Sequence, residues 1–397
     1  WRCAAGGMTG SLHAWERHIR AFVALSDIPA KVGPLDGLSV GVKDIIDVAG
    51  LPTRNGSAAC AEALPAKRDA MVVQCLRDAG ARIVGKTTTT EFAFTDPTPC
   101  RNPHDLTRSP GGSSSGSGAA VGAEVVDIAL GTQTAGSLIR PAAYCGAVGF
   151  KPSAGLLPLD GVTPLARSFD TVGIIARNVS LARRVLEVLA PSGVADDPST
   201  PNALCGLWNA DAQVAPDWVQ ALDGARTALR DVAQVIERAL PADVEPIVSA
   251  HRIVMCAEAF AAHHALLENE PHLLQPKFRA GLEAGRAAQG AQLKARHLLN
   301  DARIAFWCVM EDADLILTLP VPEGAPLIDG TTGFQDWLTP WTVFGGPLIC
   351  LPWGIDALAR PRSVMLAAHP GQDRFLLDMA ARLERSAPIL PPAKLPL

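Results

Sequence analysis

Between residues 13 and 27 the chain reads HAWERHIRAFVALSD, and Trp15, Ile19, Phe22 and Val23 recur at intervals of three and four. That spacing predicts a helix with one apolar stripe, ended by Asp27 and Pro29. After the loop KVGPLDG, the run LSVGVKDIIDVAG (38–50) is rich in β-branched residues and predicts a buried strand. RDAMVVQCLRDAGARIVGKT (68–87) then predicts a helix, a stop at Gly80 and a short strand, Ala81–Val84. Further on, AAVGAEVVDIALGTQT (119–134) predicts a small-residue helix passing into a strand, Val126–Leu130. From about 177 to 310 the apolar spacing is helical, as in SLARRVLEVLA, PDWVQALDGARTALRDVAQVIERAL and AEAFAAHHALLE. ADLILTLPVPEG, GGPLICLPWG and RFLLDMAARLER then return to a strand–loop–helix pattern. Alternation of this kind predicts an α/β protein in which a mixed central β-sheet is covered by helices on both faces.

The chain has 397 residues, 48% of them hydrophobic and 19% charged, which suits one large domain with a sizeable core. The domain reading is a single unit over 1–397, its core at about 30–180 and 311–397 and a helical, more variable region at about 181–310. Net charge is −5 with acids and bases interspersed, which argues against a nucleic-acid or membrane partner and for a small molecule. Nine cysteines stand singly with no CxxC pair, which predicts reduced thiols in a cytoplasmic protein and no metal site. Mean hydropathy is +0.18, yet no apolar run reaches the ~18–20 residues of a membrane span. WRCAAGGMTG lacks the basic-then-apolar pattern of a secretion signal and does not begin with Met, so a preceding segment is expected.

The stretch RSPGGSSSGSGAAVG (108–122) carries four serines after Ser109 and five glycines. It runs directly into the predicted helix and strand, which is not where a flexible linker belongs. A phosphate-cradling P-loop would need Gly-Lys-Ser/Thr, and no lysine follows. Gly112-Ser113-Ser114-Ser115-Gly116 satisfies G-x-S-x-G with Ser114 as nucleophile, but none of His251, His263, His264, His272, His297 and His369 sits in a triad-like loop motif. A lysine can replace histidine as base where desolvation leaves its amine neutral. The chain offers one lysine in such a setting, Lys43, flanked by Val40, Val42, Ile45 and Ile46. The competing reading makes Lys43 an edge-strand charge or a partner of Asp44 or Asp47. No serine stands three residues before any lysine, so the S-x-x-K arrangement is excluded.

Three blocks read together: GPLDGLSVGVKDIIDVAGLPTRNGS (33–57), SPGGSSSGSGAAVG (109–122) and LGTQTAGSLIRPAAYCGAVGFKPS (130–153). With GKTTTTEFAF and RNPHD in order between them, and LTLPVPEG and GGPLICLPWG behind, the chain resembles the amidase signature family, serine hydrolases that cleave amide C–N bonds. The resemblance implies Lys43 as base, Ser113 as a bridging serine in a cis peptide and Ser137 as nucleophile, 24 residues beyond Ser113. It implies an oxyanion hole of the backbone N–H groups of Thr134, Ala135, Gly136 and Ser137, and no metal or cofactor. Two departures stand out: Gln133 and Ala135 replace the family's usual Asp and Gly, and Arg140 follows the nucleophile by three residues rather than two.

The TQTAGS…IRP form is similar to malonamidase-like members, which implies that Arg140 holds a substrate carboxylate; a structural ion pair is the equal alternative. Ser114 and Gln133 are also expected at the substrate. The implied partner is a small amide, with no nucleic acid or membrane, and a homodimer is allowed for. The alternative reading is the glutaminase (A-type) subunit of a tRNA-dependent amidotransferase, which works in a complex. A catalytically silent relative is a third reading, opposed by the intact Lys43, Ser113 and Ser137.

Overall fold

The computed structural model describes residues 5–28, 30–191, 201–208 and 214–395. Along the chain, α1 (Ala5–Ile19) leads to β1 (Phe22–Ile28) and β2 (Ser39–Lys43), then α2 (Met71–Asp78) and β3 (Arg82–Thr87). Next come α3 (Ser115–Gly122), β4 (Ile128–Gln133), α4 (Ile139–Tyr144), β5 (Val148–Lys151), β6 (Thr171–Ala176) and α5 (Val179–Leu189). The following region holds β7 (Asn202–Cys205), α6 (Pro216–Leu229), β8 (Gln234–Glu237), α7 (Val244–Asn269), α8 (Pro276–Ala287) and α9 (Gln292–Val309). It ends with β9 (Leu315–Thr318), α10 (Thr339–Phe344), β10 (Leu348–Ile355), β11 (Pro361–Ala368) and α11 (Asp373–Glu384).

The eleven strands of the described residues join one sheet in the order β1-β3-β2-β4-β6-β5-β10-β11-β9-β7-β8. β2 runs parallel to both β3 and β4, and β7 parallel to β8 and β9. The other neighbours are antiparallel, so the sheet is mixed, and helices cover both faces. Val40, Val42, Ile128, Leu130, Val172 and Ile174 are fully buried in its centre, the composition expected of strands covered on both sides. Among the described residues no helix is long and apolar enough to cross a membrane.

Two expectations are corrected. The helix predicted over 13–27 stops at Ile19, and Phe22–Ile28 is an edge strand antiparallel to β3. Arg20 leaves the helical region (φ +51°), and the Glu16 carboxylate accepts the N–H groups of Ala21 and Phe22. Phe22 is therefore buried from a strand whose Val23 and Leu25 are partly exposed, a pairing no local spacing encodes. The region 181–310 is likewise not purely helical: β7 and β8 extend the sheet, and Gln234–Glu237 lies inside a predicted helix. The lesser shifts are a β3 that continues to Thr87, an α3 that begins inside the Gly/Ser stretch at Ser115, and a β4 that continues to Gln133.

The Gly/Ser stretch sets α3 against α4. A Cβ on Gly118 would stand 2.8 Å from the Pro141 carbonyl oxygen, and one on Gly122 would stand 2.3 Å from that of Cys145. Side chains at these two positions would push the helices apart. α3 starts two residues after Ser113 and α4 two residues after Ser137, so this close packing brings the two serine-bearing turns together.

Candidate active site

Lys43 ends β2, an interior strand, and is fully buried. Its Nζ lies 2.6 Å from Ser113 Oγ and 2.8 Å from Thr132 Oγ1. Among the described residues no carboxylate pairs with it: Asp44 goes to Lys86 Nζ (2.8 Å), and Asp47 accepts the Thr53 hydroxyl (2.6 Å). The edge-strand and Asp44/Asp47 readings of Lys43 are thereby corrected. Burial holds the amine well below its usual range, opposed only by the more remote charge of Asp170. The sequence reading that Lys43 alone has a buried setting is also corrected, because Lys86 and Lys151 are buried too. Their partners differ: Lys86 is neutralised by Asp44, and Lys151 donates to the Pro152 carbonyl (2.7 Å). Lys43 instead faces two hydroxyls.

The peptide bond Gly112–Ser113 is cis. The other serines of this stretch are engaged by backbone. Ser114 Oγ accepts the Thr132 N–H (3.2 Å) and donates to the Thr132 carbonyl (3.3 Å). Ser115 Oγ donates to the Gly111 carbonyl (2.7 Å), and Ser117 Oγ to the Leu130 carbonyl (2.9 Å). Ser114 thus has its hydroxyl locked against β4, with no base beside it. Only Ser113 turns its hydroxyl to a lysine.

Ser137 lies in the turn between β4 and α4, and its hydroxyl bonds to no described residue. The Ser114 N–H donates to the Ser137 carbonyl (3.1 Å), joining the two turns directly. Every carbonyl from Thr134 to Ser137 is held: Thr134 by His251 Nε2 (2.8 Å), Ala135 by the Thr342 hydroxyl (2.5 Å), Gly136 by the Arg140 N–H (3.1 Å). Among the described residues, none of the four N–H groups of Thr134–Ser137 donates to a protein acceptor. The arrangement can receive negative charge on an oxygen atom.

Gln133, expected at the substrate, is fully buried and committed to this turn. Its Oε1 accepts the N–H groups of Leu138 (3.2 Å) and Ile139 (3.1 Å), and its Nε2 donates to Thr342 Oγ1 (3.1 Å). Arg140 is also buried, with one Nη2 bond to the Gly112 carbonyl (2.6 Å) and a longer one to Thr332 Oγ1 (3.4 Å). Among the described residues its Nε and Nη1 have no partner and no carboxylate lies within ion-pair distance. The structural ion pair offered as an alternative for Arg140 is therefore not formed among the described residues. Burial lowers its pKa to about 10.

Four contributors escape a reading of the sequence. Thr132 stands within LGTQTAGS, where its signal is that of a polar inward position of β4. Asp170 accepts the Thr134 hydroxyl (2.6 Å) and the Leu165 and Ala166 N–H groups, with burial raising its carboxyl pKa. His251 enters the sequence reading only as a triad base, and Thr342 carries no local signal at all. Among the described residues no group of three or more His, Cys, Asp or Glu could hold a metal.

The sequence pattern of the Amidase family matches residues 16–377. The chain is 34% identical over 390 residues to an amidase of Pseudomonas putida, covering 89% of this chain and 82% of that protein. It is 36% identical over 318 residues to the A-subunit of the glutamyl-tRNA(Gln) amidotransferase of Natronomonas pharaonis, covering 70% and 73%. Two other A-subunit matches are shorter and span 42% and 33% of those proteins. A crystal structure of an amidase is similar with a TM-score of 0.87 at 27% identity, covering 96% of this chain and 95% of that one.

Proposed function

The chain belongs to the amidase signature family, and on that premise we propose that it hydrolyses the C–N bond of a small amide bearing a free carboxylate. Ser137 is the nucleophile, Ser113 the proton relay and Lys43 the base. The observation that carries this reading is the fully buried, carboxylate-free Lys43 amine 2.6 Å from Ser113 Oγ. A neutral amine there can accept the Ser113 proton as Ser113 accepts that of Ser137. Ser137 Oγ then bonds to the amide carbon, and the carbonyl oxygen takes up negative charge against the free N–H groups of the 134–137 turn. Lys43 returns the proton through Ser113 to the nitrogen, which leaves as ammonia or amine. Water attacks the acyl-enzyme by the same relay and releases the carboxylate.

Arg140 supports the carboxylate part of the proposal. A buried guanidinium with two unmatched donors suits an anion that supplies acceptors at fixed geometry. Ser114 and Gln133, whose polar atoms are occupied by protein partners, shape the site rather than touch substrate in this scheme. We extend the proposal to a single amidase domain over 1–397, cytoplasmic, acting alone or as a homodimer. The identity to amidotransferase A-subunits favours a second reading, a glutaminase working in a complex.

Ammonia release by the purified chain from half-amides of dicarboxylic acids, from glutamine and from uncharged amides such as propionamide tests both. Turnover of the half-amides by the chain alone supports the first reading; activity only with glutamine and a co-purifying second protein supports the other. Ser137→Ala should abolish release with the melting temperature unchanged. Full activity in that variant, with Ser114→Ala dead, would move the nucleophile to Ser114.

A further inference from the structure

A trans peptide unit is planar, with its C=O and the following N–H on opposite sides. Whatever grips a carbonyl of the 134–137 turn therefore aims the next residue's N–H away from itself. The Gly136 carbonyl is held locally, by the first turn of α4. The Thr134 and Ala135 carbonyls are held from outside, by a side chain of α7 and one of α10. We propose that His251 and Thr342 are positioning residues of the oxyanion hole, His251 aiming the Ala135 N–H and Thr342 aiming the Gly136 N–H. The inference rests on Ser137 being the nucleophile.

The chemistry of each clamp is directional. A carbonyl only accepts, so His251 Nε2 carries the proton that reaches Thr134. The imidazole is buried, packs at a tilt against Phe169 (ring centres 4.4 Å apart) and has its pKa lowered to about 4, so it is the neutral Nε2–H tautomer at neutral pH. Thr342 has a single hydroxyl proton. Gln133 Nε2 donates to that oxygen (3.1 Å), leaving the proton for the Ala135 carbonyl. A Gln133 Nε2 → Thr342 Oγ1 → Ala135 O chain follows, and Gln133 Oε1 meanwhile holds the start of α4. An acid at 133 has no proton to give when ionised and would compete for that of Thr342. α7 and α10 thus act on the N–H groups that face the oxyanion through two hydrogen bonds.

Hydrolysis of p-nitrophenyl acetate, whose carbonyl develops the same oxyanion, reads this without knowledge of the natural amide. His251→Leu and Thr342→Val, which keep the bulk and remove the donor, should each lower kcat by about tenfold to a hundredfold, with KM within threefold. His251→Gln, whose amide N–H reaches like Nε2, and Thr342→Ser should recover most of the loss. If the donor-free variants keep kcat within twofold, or if the conservative variants lose as much as they do, the positioning role is refuted. Ser137→Ala separates the two levels. If it is dead while His251→Leu is fully active, only the clamp falls; if it is active, the nucleophile assignment falls and the clamp with it.

Discussion

Replacing Arg140 by methionine should stabilise the fold while destroying recognition of a carboxylate. The guanidinium is buried without a described carboxylate partner, and burial lowers its pKa to about 10. Because the folded protein disfavours the charged form that an unfolded chain keeps to higher pH, the charge opposes folding at every pH below about 10. The difference corresponds to a cost of about 3 kcal/mol. Loss of the hydrogen bond to the Gly112 carbonyl gives back about 1–2 kcal/mol, and methionine fills most of the volume. A net gain of about 1–2 kcal/mol remains, which in a chain of 397 residues raises Tm by roughly 1–3 °C. At the same time kcat/KM for carboxylate-bearing amides should fall about a hundredfold, the worth of one or two charge-assisted hydrogen bonds. Uncharged amides should be turned over at near wild-type rates. Thermal denaturation beside ammonia release on both amide classes decides it. A Tm lowered by more than about 3 °C, or equal losses on charged and uncharged amides, would overturn this account and make Arg140 a structural residue.

Lys43→Met should be inactive near neutral pH, and wild-type kcat/KM should rise with pH to a plateau set by a pKa well below 10.5, since the base must be neutral. Stability follows the same group: the unfolded lysine holds a proton that the folded one has released, so unfolding free energy rises with pH between the lowered pKa and 10.5, a slope absent in Lys43→Met. Lys86→Met leaves Asp44 charged and buried, and urea denaturation should show a loss of about 3–5 kcal/mol, mostly recovered in Lys86→Met/Asp44→Asn. Gly118→Ala puts a methyl 2.8 Å from the Pro141 oxygen, and should cost about 1–3 kcal/mol in the same assay while also slowing turnover.

Part of the candidate site is legible in the chain because its chemistry is local. A lysine among Val40, Val42, Ile45 and Ile46 announces a desolvated amine, and TAGS after an apolar strand announces a turn with room at its backbone. The serine stretch shows where local reading fails. G-x-S-x-G fits Ser114 as well as any pattern could, yet Ser114 is bonded to both backbone groups of Thr132, and Ser113 holds the hydroxyl beside Lys43. Without the path of β4, nothing distinguishes the two serines on residue grounds. Similarly, Phe22 and Val23 fit a helix by spacing, and only the presence of β3 alongside makes them a strand.

Apolar runs and turn residues carried within a few positions were enough for the α/β class and the central strands, and three ordered blocks were enough for the resemblance that implied the family and the lysine and serines proposed for the site. Which groups are charged, which are free and which are held is a property of the packed fold. Lys43 and Ser113 are 70 residues apart, Thr134 and His251 are 117 apart, and Ala135 and Thr342 are 207 apart. Desolvation and hydrogen bonding depend on every atom within a few ångströms, whatever its distance along the chain. Three buried lysines look alike until one is seen to face hydroxyls, one a carboxylate and one a carbonyl.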